Sequence, residues 1–316
     1  MLRILSALIL AASIGVGHAA APSGKPITLI IGYSAGGAAD LLGRKFAPLL
    51  ERRLGRSVIV ENVGGAGGTL AAGRVARAEP DGSTLLMTPL GHVTAPAMYP
   101  KLPYDTLNDF AGISMIATGR VMLVARPTLP VDTPQELIAL AKQKPEGLSY
   151  GSSGHGALLH LAMEMFSREV GIQLLHVPYK SVSASLPAVV AGDVDLTLCT
   201  VAMCMPFVND GRVKPLLHFG PDRAEEAPNM PSFTDLGLGD FDVSSYNLVL
   251  APRKTPRETV EELHRAISDV VNSEDYAAQI KELSFNAQGS PSPESVDQLV
   301  ASEVKKWSDL LGSINK

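Results

Sequence analysis

Two glycine-containing loops, each between an apolar run and a helical pattern, could bind an anion with bare backbone. In the first, ITLIIGYSAGGAAD, Gly36 and Gly37 stand just before a helical pattern. The N–H groups of a first helical turn lack an intrahelical acceptor and lie at the positive end of the dipole. They can therefore bind carboxylate or phosphate without a cationic side chain, and glycine lets the anion approach closely. An ordinary tight turn explains this loop alone equally well.

The second loop, in YGSSGHGALLHLA, is also a glycine-containing loop between a strand-like run and a helical pattern. Ser152 and Ser153 offer hydroxyl groups, and Gly154 and Gly156 free the backbone before another helical pattern. Two helix starts that face each other across a gap would suit a small carboxylate better than either one alone. The alternative is that Ser152 or Ser153 only caps its helix.

Asp40 and a third glycine cluster favour structural roles. Asp40 lies three residues after Gly37, where a carboxylate can bond back to the start of the helix, so capping is preferred over ligand contact. The cluster in ENVGGAGGTLAAG lacks the ending of a P-loop, and Leu70 occupies the last glycine position of a dinucleotide-binding pattern. We therefore interpret that cluster as a tight strand-to-helix connection.

Catalysis is the rival interpretation of these polar residues. Ser153 near His155 could indicate a hydrolase, but the nucleophile elbow G-x-S-x-G requires glycine where His155 stands. The seven histidines are scattered and no H-E-x-x-H occurs, so a zinc hydrolase has no support. Asp195, at the start of DLTLCT, could reach a cleft and accept a hydrogen bond, and a structural role is equally consistent.

The elements around these loops form two α/β units. The runs ITLII, SVIVE and STLLMT alternate with helical patterns, one of which contains Pro48, expected to bend or interrupt it. After Arg126 the alternation restarts through LSYGSS, LLHVPY, DLTLCT and KPLLHFG. One more strand, SSYNLVLAP, and two amphipathic helices follow, and these helices need the surface of the first unit to cover.

The predicted fold is therefore α/β, with two doubly wound lobes joined by a two-crossing hinge. The predicted domains are residues 22–125 plus 244–316, and residues 126–243. The alternative is two consecutive domains. In either case ligands bind beyond the carboxyl ends of the strands, where Thr88 and His92 follow the third strand.

The first 19 residues have the layout of a secretory signal peptide: Arg3, an apolar stretch, then small residues. An uncleaved anchor is the alternative, but the apolar run is short for a membrane span. Without Arg3, 26 basic residues face 32 acidic ones, a net charge near −6. That balance argues against a nucleic-acid partner. Export makes a disulfide between Cys199 and Cys204 possible, and two buried thiols are as consistent.

Several of these motifs in order resemble the Bug family, the periplasmic solute-binding proteins of tripartite tricarboxylate transporters. The resemblance is carried by PITLIIGYSAGGAADLLGR, the glycine-asparagine loop followed by PDGSTLL, YGSSGHGALLHLAMEMF, HVPYKS and AGDVDL. It spans essentially the whole chain after the signal segment. It implies a type II periplasmic-binding-protein fold whose cleft closes on a small carboxylate held by backbone amides and waters.

The resemblance also implies the partners and completes the candidate site. A monomer would capture the carboxylate and deliver it to the membrane subunits of the transporter, with no catalytic residue, cofactor or metal. An exported serine hydrolase and a ligand-presenting sensor subunit are the alternatives. Two positions depart from the family pattern: Gly32-Tyr33 replaces Pro-Phe, and Ser181 replaces glycine. The predicted ligand-binding residues are Tyr33, Ser34, Ala35, Gly36, Gly37, Asp40, Thr88, His92, Ser152, Ser153, Gly154, His155, Tyr179, Lys180 and Asp195.

Overall fold

The described part of the chain consists of alternating strands and helices. The computed structural model describes residues 24–33, 35–89, 91–99, 101–154, 157–179, 181–220, 223, 227–238, 243–283 and 285–314. The predicted signal peptide at residues 1–19 lies outside these ranges. Within them, no helix has the length and apolar character needed to cross a membrane.

The strands, in chain order, are β1 (Ile27–Ile31), β2 (Val58–Asn62), β3 (Thr84–Pro89), β4 (Phe110–Gly119), β5 (Val121–Ala125), β6 (Ser149–Ser152), β7 (Leu175–Pro178), β8 (Leu196–Thr200), β9 (Lys214–His218), β10 (Ser245–Pro252) and β11 (Asn286–Ala287). The helices are α1 (Ala38–Leu54), α2 (Thr69–Ala76), α3 (Gly91–Met98), α4 (Pro134–Gln143), α5 (Leu158–Val170), α6 (Val182–Ala191), α7 (Val201–Asn209), α8 (Arg257–Val271), α9 (Glu274–Lys281) and α10 (Pro293–Ile314).

The first sheet has the strand order β11-β4-β10-β3-β1-β2. β1 runs parallel to β2 and β3, whereas β10 runs antiparallel to both β3 and β4. The consecutive residues Leu29 and Ile30 of β1, which point to opposite faces of the sheet, are both fully buried because helices cover both faces. One face packs against α1, α8 and α9, and the other against α2, α3 and α10.

The second sheet has the order β7-β6-β8-β5-β9. β6 pairs in parallel with β7 and β8, and β5 runs antiparallel to β8 and β9. Its two faces are covered by α4 and α5 on one side and by α6 and α7 on the other. Each sheet therefore has its own core, which gives the predicted doubly wound architecture.

The chain passes between the two sheets twice. It leaves the first sheet at Arg120, the single residue between β4 and β5, and returns through Ser244 into β10. Because β10 pairs with β3 and β4, the alternative of two consecutive domains is wrong. The predicted boundary after residue 125 placed β5 in the first unit, but β5 pairs within the second sheet. No turn pattern separates β4 from β5, so the sequence carries no signal at that crossing.

Two details of the fold differ from, or extend, the predictions. α1 continues through Pro48 without the expected interruption, because the proline lies on the exposed face while Phe46 and Leu50 anchor the buried one. Cys199 and Cys204, at the end of β8 and within α7, form a disulfide with Cα atoms 6.1 Å apart. This geometry favours the disulfide over the alternative of two buried thiols.

Candidate ligand-binding site

The carboxyl ends of the parallel strands in the two sheets face each other. β4 runs parallel to β3 and ends at the same edge as β1, β2 and β3. Val121, the first residue of β5, pairs with Thr200 at the end of β8. Since Arg120 alone joins β4 to β5, the carboxyl edge of one sheet lies beside that of the other. The predicted loops after β1 and β6 are therefore brought to neighbouring edges.

Helices that begin at these two edges lack capping side chains. No side-chain cap is formed at Gly37 of α1, Gly68 of α2, Ala157 of α5, Ser181 of α6 or Thr200 of α7. Of the helices that begin elsewhere, α4 is capped by Thr133 within a capping box and α9 by Ser273, whereas α8, which begins after Pro256, also has no side-chain cap. At α1 and α5 no side chain accepts from the first-turn N–H groups, which is the arrangement that binds anions.

In the first loop, the N–H group of Gly36 has an acceptor within the protein, and its predicted ligand contact stays a prediction. Its N–H group donates to Asp40 Oδ2 at 2.8 Å, so this amide is already satisfied within the protein. The positive φ of 79° at Gly36 explains the glycine, because L-residues rarely adopt that conformation. Ala35 and Gly37 are exposed at the loop, and Ser34 lies outside the described residues.

Asp40 holds this loop in place from inside the protein. It is buried, and its Oδ1 lies 2.9 Å from Arg44 Nε. Arg44 also donates to Asn62 Oδ1, and Asn62 Nδ2 donates to the carbonyl oxygen of Tyr33. Burial alone would raise the pKa of Asp40, but the hydrogen bonds from Arg44 and Gly36 outweigh it and hold the pKa below its usual value. The carboxylate therefore organises the loop, in agreement with the preferred structural interpretation over ligand contact.

Tyr33 connects the loops that follow the first three strands. Its hydroxyl group lies 3.4 Å from the carbonyl oxygen of Gly67, which it contacts as donor. A Cβ atom on Gly91 would overlap that hydroxyl and would lie 2.8 Å from the Gly67 oxygen. Burial, with a smaller contribution from Tyr99, raises the pKa of Tyr33 to about 12. These contacts are those of a packing residue at the edge of the loops, and a contact with ligand stays a prediction.

The glycine cluster after β2 forms a tight connection, as interpreted from the sequence. A short 3-10 turn, Ala66–Gly68, leads into α2, and Gly65, Ala66, Gly67 and Gly68 all have positive φ. A Cβ atom on Gly32 would lie 3.0 Å from Gly68 Cα. The loops after β1 and β2 therefore meet through backbone, which requires a small residue at position 32.

His92 lies in the core below the loop that follows β3, and its predicted ligand contact stays a prediction. It is buried, with its ring 5.8 Å from that of Tyr104 and 4.7 Å from that of Phe110. Burial lowers the pKa of His92 to about 4, so the ring is neutral at physiological pH. Thr88 is also buried, and its hydroxyl donates to the carbonyl oxygen of Pro89. Both side chains face the core because α3 packs its first turn against the sheet and α10.

In the second loop, the Ser152 side chain is turned into the protein. Ser152 is fully buried, with its Oγ 3.1 Å from both the N and O atoms of Gly154 and 2.7 Å from His176 Nε2. Neither serine caps α5, whose N-cap is Ala157. The Ser152 side chain thus has partners within the protein, and its predicted ligand contact stays a prediction. Ser153 and Gly154 are half-buried at the loop, and His155 lies outside the described residues.

The contact between Ser152 and His176 resembles a nucleophile beside a base, yet it does not give a hydrolase site. A nucleophile must reach its substrate, whereas Ser152 is 0% exposed and its hydroxyl is held by Gly154. In the described residues no group of three or more His, Cys, Asp or Glu side chains could hold a metal ion. Sequence patterns do not reveal the Ser152–His176 contact, because it depends on the parallel register of β6 and β7.

Tyr179 and Asp195 have structural contacts. The N–H group of Tyr179 donates to the carbonyl oxygen of Ser152 at 3.1 Å, and its half-buried ring packs over Gly151. Lys180 lies outside the described residues.

Asp195 accepts hydrogen bonds from Arg126 Nε at 2.7 Å and from the N–H group of Ser149 at 2.8 Å. Asp195 precedes β8, at the edge opposite the loops that follow β6, β7 and β8, and its contacts are those of the structural alternative; its predicted ligand contact stays a prediction.

A cavity of about 290 Å³ lies beside the two crossings. Its walls include Arg120 and Ser244 at the crossings, Leu158 of α5 and Trp307 of α10. Arg120 Nη1 also donates to the carbonyl oxygen of Arg223, at 2.7 Å. α5 of the second unit and α10 of the first contribute Leu161 and Trp307 to one apolar cluster. The two units are thus in contact on this side of the crossings.

Comparison with known proteins decides the family. The family model described as "Tripartite tricarboxylate transporter family receptor" matches residues 42–316. The chain belongs to this receptor family. The resemblance seen in the sequence motifs is therefore confirmed.

Solved structures give the same result for the fold of this receptor. It is similar to the periplasmic binding protein BugD, with 28% identity, a TM-score of 0.76, and coverage of 91% of this chain and 97% of BugD. It is also similar to two proteins of Rhodopseudomonas palustris. Rpa4515 with adipate has 29% identity, a TM-score of 0.79, and coverage of 90% and 95%. MatC with bound malate has 29% identity, a TM-score of 0.78, and coverage of 90% and 98%.

The receptor therefore has the two-lobed α/β fold of a periplasmic binding protein, as predicted. Its family consists of solute-binding proteins, which are not enzymes. This agrees with the inaccessible hydroxyl group of Ser152.

Proposed function

We propose that this receptor captures a small carboxylate between the facing edges of its two sheets, in the periplasm, and delivers it to the membrane subunits of a tripartite transporter. The observation that carries the proposal is that α1 and α5 both begin at these edges without a capping side chain. Adipate and malate, bound by the similar proteins Rpa4515 and MatC, are both dicarboxylates. A dicarboxylate has one acid group for each lobe.

The binding mode rests on backbone dipoles. With Gly36 satisfied by Asp40, the amides that remain in the first loop are those of Gly37 and the first turn of α1. In the second lobe they are those of Ser153 and the first turn of α5. An uncapped helix start attracts a carboxylate locally, even in a protein whose net charge is negative. The arginine near the first loop, Arg44, is already bound to Asp40 and Asn62.

The second step is closure of the lobes. We assign residues 24–119 and 245–314 to the first lobe and residues 121–243 to the second, joined at Arg120 and Ser244. Two crossings define a hinge about which the lobes can rotate, and a bound dicarboxylate with one acid group on each lobe would favour the closed state. Presentation of the closed form to a signalling receptor, rather than to a transporter, would use the same site.

A thermal-shift screen of the mature protein, residues 20–316, tests the proposal. The panel contains malate, adipate, citrate, an amino acid and an aromatic acid, with the matching neutral amide of each hit as the control. We expect at least one acid to raise the melting temperature in proportion to the logarithm of its concentration, and its amide to have no effect. A flat response to every acid in the panel would contradict carboxylate capture.

A further inference from the structure

The loop that ends β6 is fixed by a hydrogen-bond cluster centred on Ser152. One hydroxyl oxygen has three partners: the N atom of Gly154 and the O atom of Gly154, both at 3.1 Å, and His176 Nε2 at 2.7 Å. Gly154 has a φ of 122°, so the backbone here turns in a way that side chains of L-residues rarely permit. Glycine adopts this conformation without strain, and the cluster fixes the turn through both backbone groups of Gly154.

The number of hydrogen atoms in this cluster determines the direction of each bond. A serine hydroxyl has one hydrogen to donate and two lone pairs to accept. The carbonyl of Gly154 can only accept and its N–H group can only donate, so the hydroxyl hydrogen points to the carbonyl and one lone pair receives the N–H group. The remaining lone pair must receive a hydrogen from His176. If the serine donated to His176 instead, its oxygen and the Gly154 carbonyl oxygen would lie 3.1 Å apart with no hydrogen between them, and the carbonyl would keep only the N–H group of Ala157 as donor, at 3.2 Å.

The surroundings of His176 keep its ring in this orientation. Its ring stacks on Tyr150 at 4.9 Å with an interplanar angle of 24°, and His160 of α5 lies 4.1 Å away on ring centroids. The Tyr150 hydroxyl in turn donates to Glu164 Oε1 at 2.5 Å. Tyr150 and His176 are paired residues of the parallel strands β6 and β7, so the stack is set by the register of the sheet.

We propose that His176 is the positioning residue of the second-lobe loop: it donates its Nε2 hydrogen to Ser152, which in turn holds both backbone groups of Gly154. The role in ligand capture rests on the function proposed above. The geometry of the loop and the position of the proton on His176 do not depend on that function. His176 contacts Ser152, and it acts by presetting the backbone at Ser153 and Gly154.

Two variants and a control separate this role from general stability. His176→Gln keeps an N–H donor, whereas His176→Leu removes it. Leu175→Ser, at an exposed position one residue earlier on the same strand, is the matched control. The ligand-free mature protein is measured first. Long-range ¹H–¹⁵N NMR locates the proton on His176, and amide hydrogen exchange reports the opening of the segment 150–158.

We expect an Nε2-protonated ring in the wild type. Exchange in the segment should stay near the wild-type rate in His176→Gln and Leu175→Ser and rise about fivefold in His176→Leu, the effect of one ordinary hydrogen bond. An Nδ1-protonated ring with a bare Nε2, or unchanged exchange in His176→Leu, would overturn the proposal. If His176→Leu fails to fold, the NMR result on the wild type and the exchange in His176→Gln still decide.

The affinity of each variant for a ligand is measured by titration calorimetry, with malate and adipate as probes. We expect His176→Leu to weaken the probe that binds by about fivefold and His176→Gln to restore the affinity. Equal affinity in all variants would overturn the part in ligand capture while leaving the proton position intact. If neither probe binds the wild type, the proposed function is in question, and the NMR and exchange results still test His176 on their own.

Discussion

Replacing Asp40 by asparagine tests whether this buried carboxylate organises the first-lobe loop. In the wild type it accepts from the Gly36 N–H group at 2.8 Å and pairs with Arg44 Nε at 2.9 Å. Asparagine keeps one oxygen for Gly36 but loses the charge. A hydrogen bond to a charged group contributes about 1.5–3 kcal/mol and a neutral one about 1 kcal/mol. The ion pair contributes only about 0.3–0.5 kcal/mol because Arg44 is half exposed and screened by solvent.

These contributions predict that Asp40→Asn lowers the free energy of unfolding by about 1–2 kcal/mol near neutral pH. The loss should depend on pH. The pKa of Asp40 is depressed in the folded state, so its stabilising contribution is fully present above the unfolded pKa of about 3.9. That contribution is lost as the pH falls through the folded-state pKa. The difference between wild type and variant should therefore shrink below about pH 4.

The assay is urea denaturation of the mature protein at neutral and acidic pH, with equal m-values as the check on two-state comparison. Asp193→Asn, at an exposed position of the second lobe, is the matched control and should change little. Equal stability of Asp40→Asn and wild type at neutral pH would refute the reasoning. A loss that persisted undiminished in acid would refute the assignment of the effect to the charge.

Three further predictions concern other parts of the fold. Gly91→Ala should destabilise the protein by about 1–3 kcal/mol, because its Cβ would overlap the Tyr33 hydroxyl. Adding Tyr33→Phe should recover part of that loss in a double-mutant cycle of urea melts. Simple additivity of the two effects would contradict a direct contact between position 91 and the Tyr33 hydroxyl. Trp307, the single tryptophan, lines the cavity beside the crossings. Closure of the lobes on a bound dicarboxylate should therefore change its fluorescence emission. An unchanged emission spectrum at saturating ligand would contradict closure at this hinge. The double variant Cys199→Ser, Cys204→Ser should have a lower melting temperature than the wild type under oxidising conditions. Reductant should lower the melting temperature of the wild type but not that of the double variant. Equal melting temperatures of the wild type with and without reductant would contradict a stabilising disulfide.

Much of the fold follows from local patterns. The strands β1, β2 and β3 are apolar runs bounded by turn residues, and they could be read directly because parallel strands buried on both faces have that composition. The sequence did not reveal β4 and β5. These strands are separated only by Arg120, and β10 pairs with β4 through register shifts, so no regular period or break marks them. The return of the chain through β10 was predictable because the last helices needed a surface to cover.

The candidate site was predictable at the level of loops but not of side chains. The loops after β1 and β6 were recognised because ligands in open α/β sheets bind at carboxyl ends. Whether Ser152 or Ser153 points inward depends on the pleat of β6, which a single sequence does not show. Asp195 was considered for the cleft, whereas the start of a strand lies at the opposite edge from its end. His176 was missed because its partners lie on another strand, and only the register of β6 and β7 brings them together.

The structure of the mature protein with a bound dicarboxylate would test the central claim most directly. We predict that one carboxylate lies within about 3 Å of the first-turn amides of α1 and the other near the amides that precede α5, without a paired arginine or lysine. Carboxylates bound instead to Arg120 in the cavity beside the crossings, with both helix starts unoccupied, would contradict the claim that backbone amides hold the ligand.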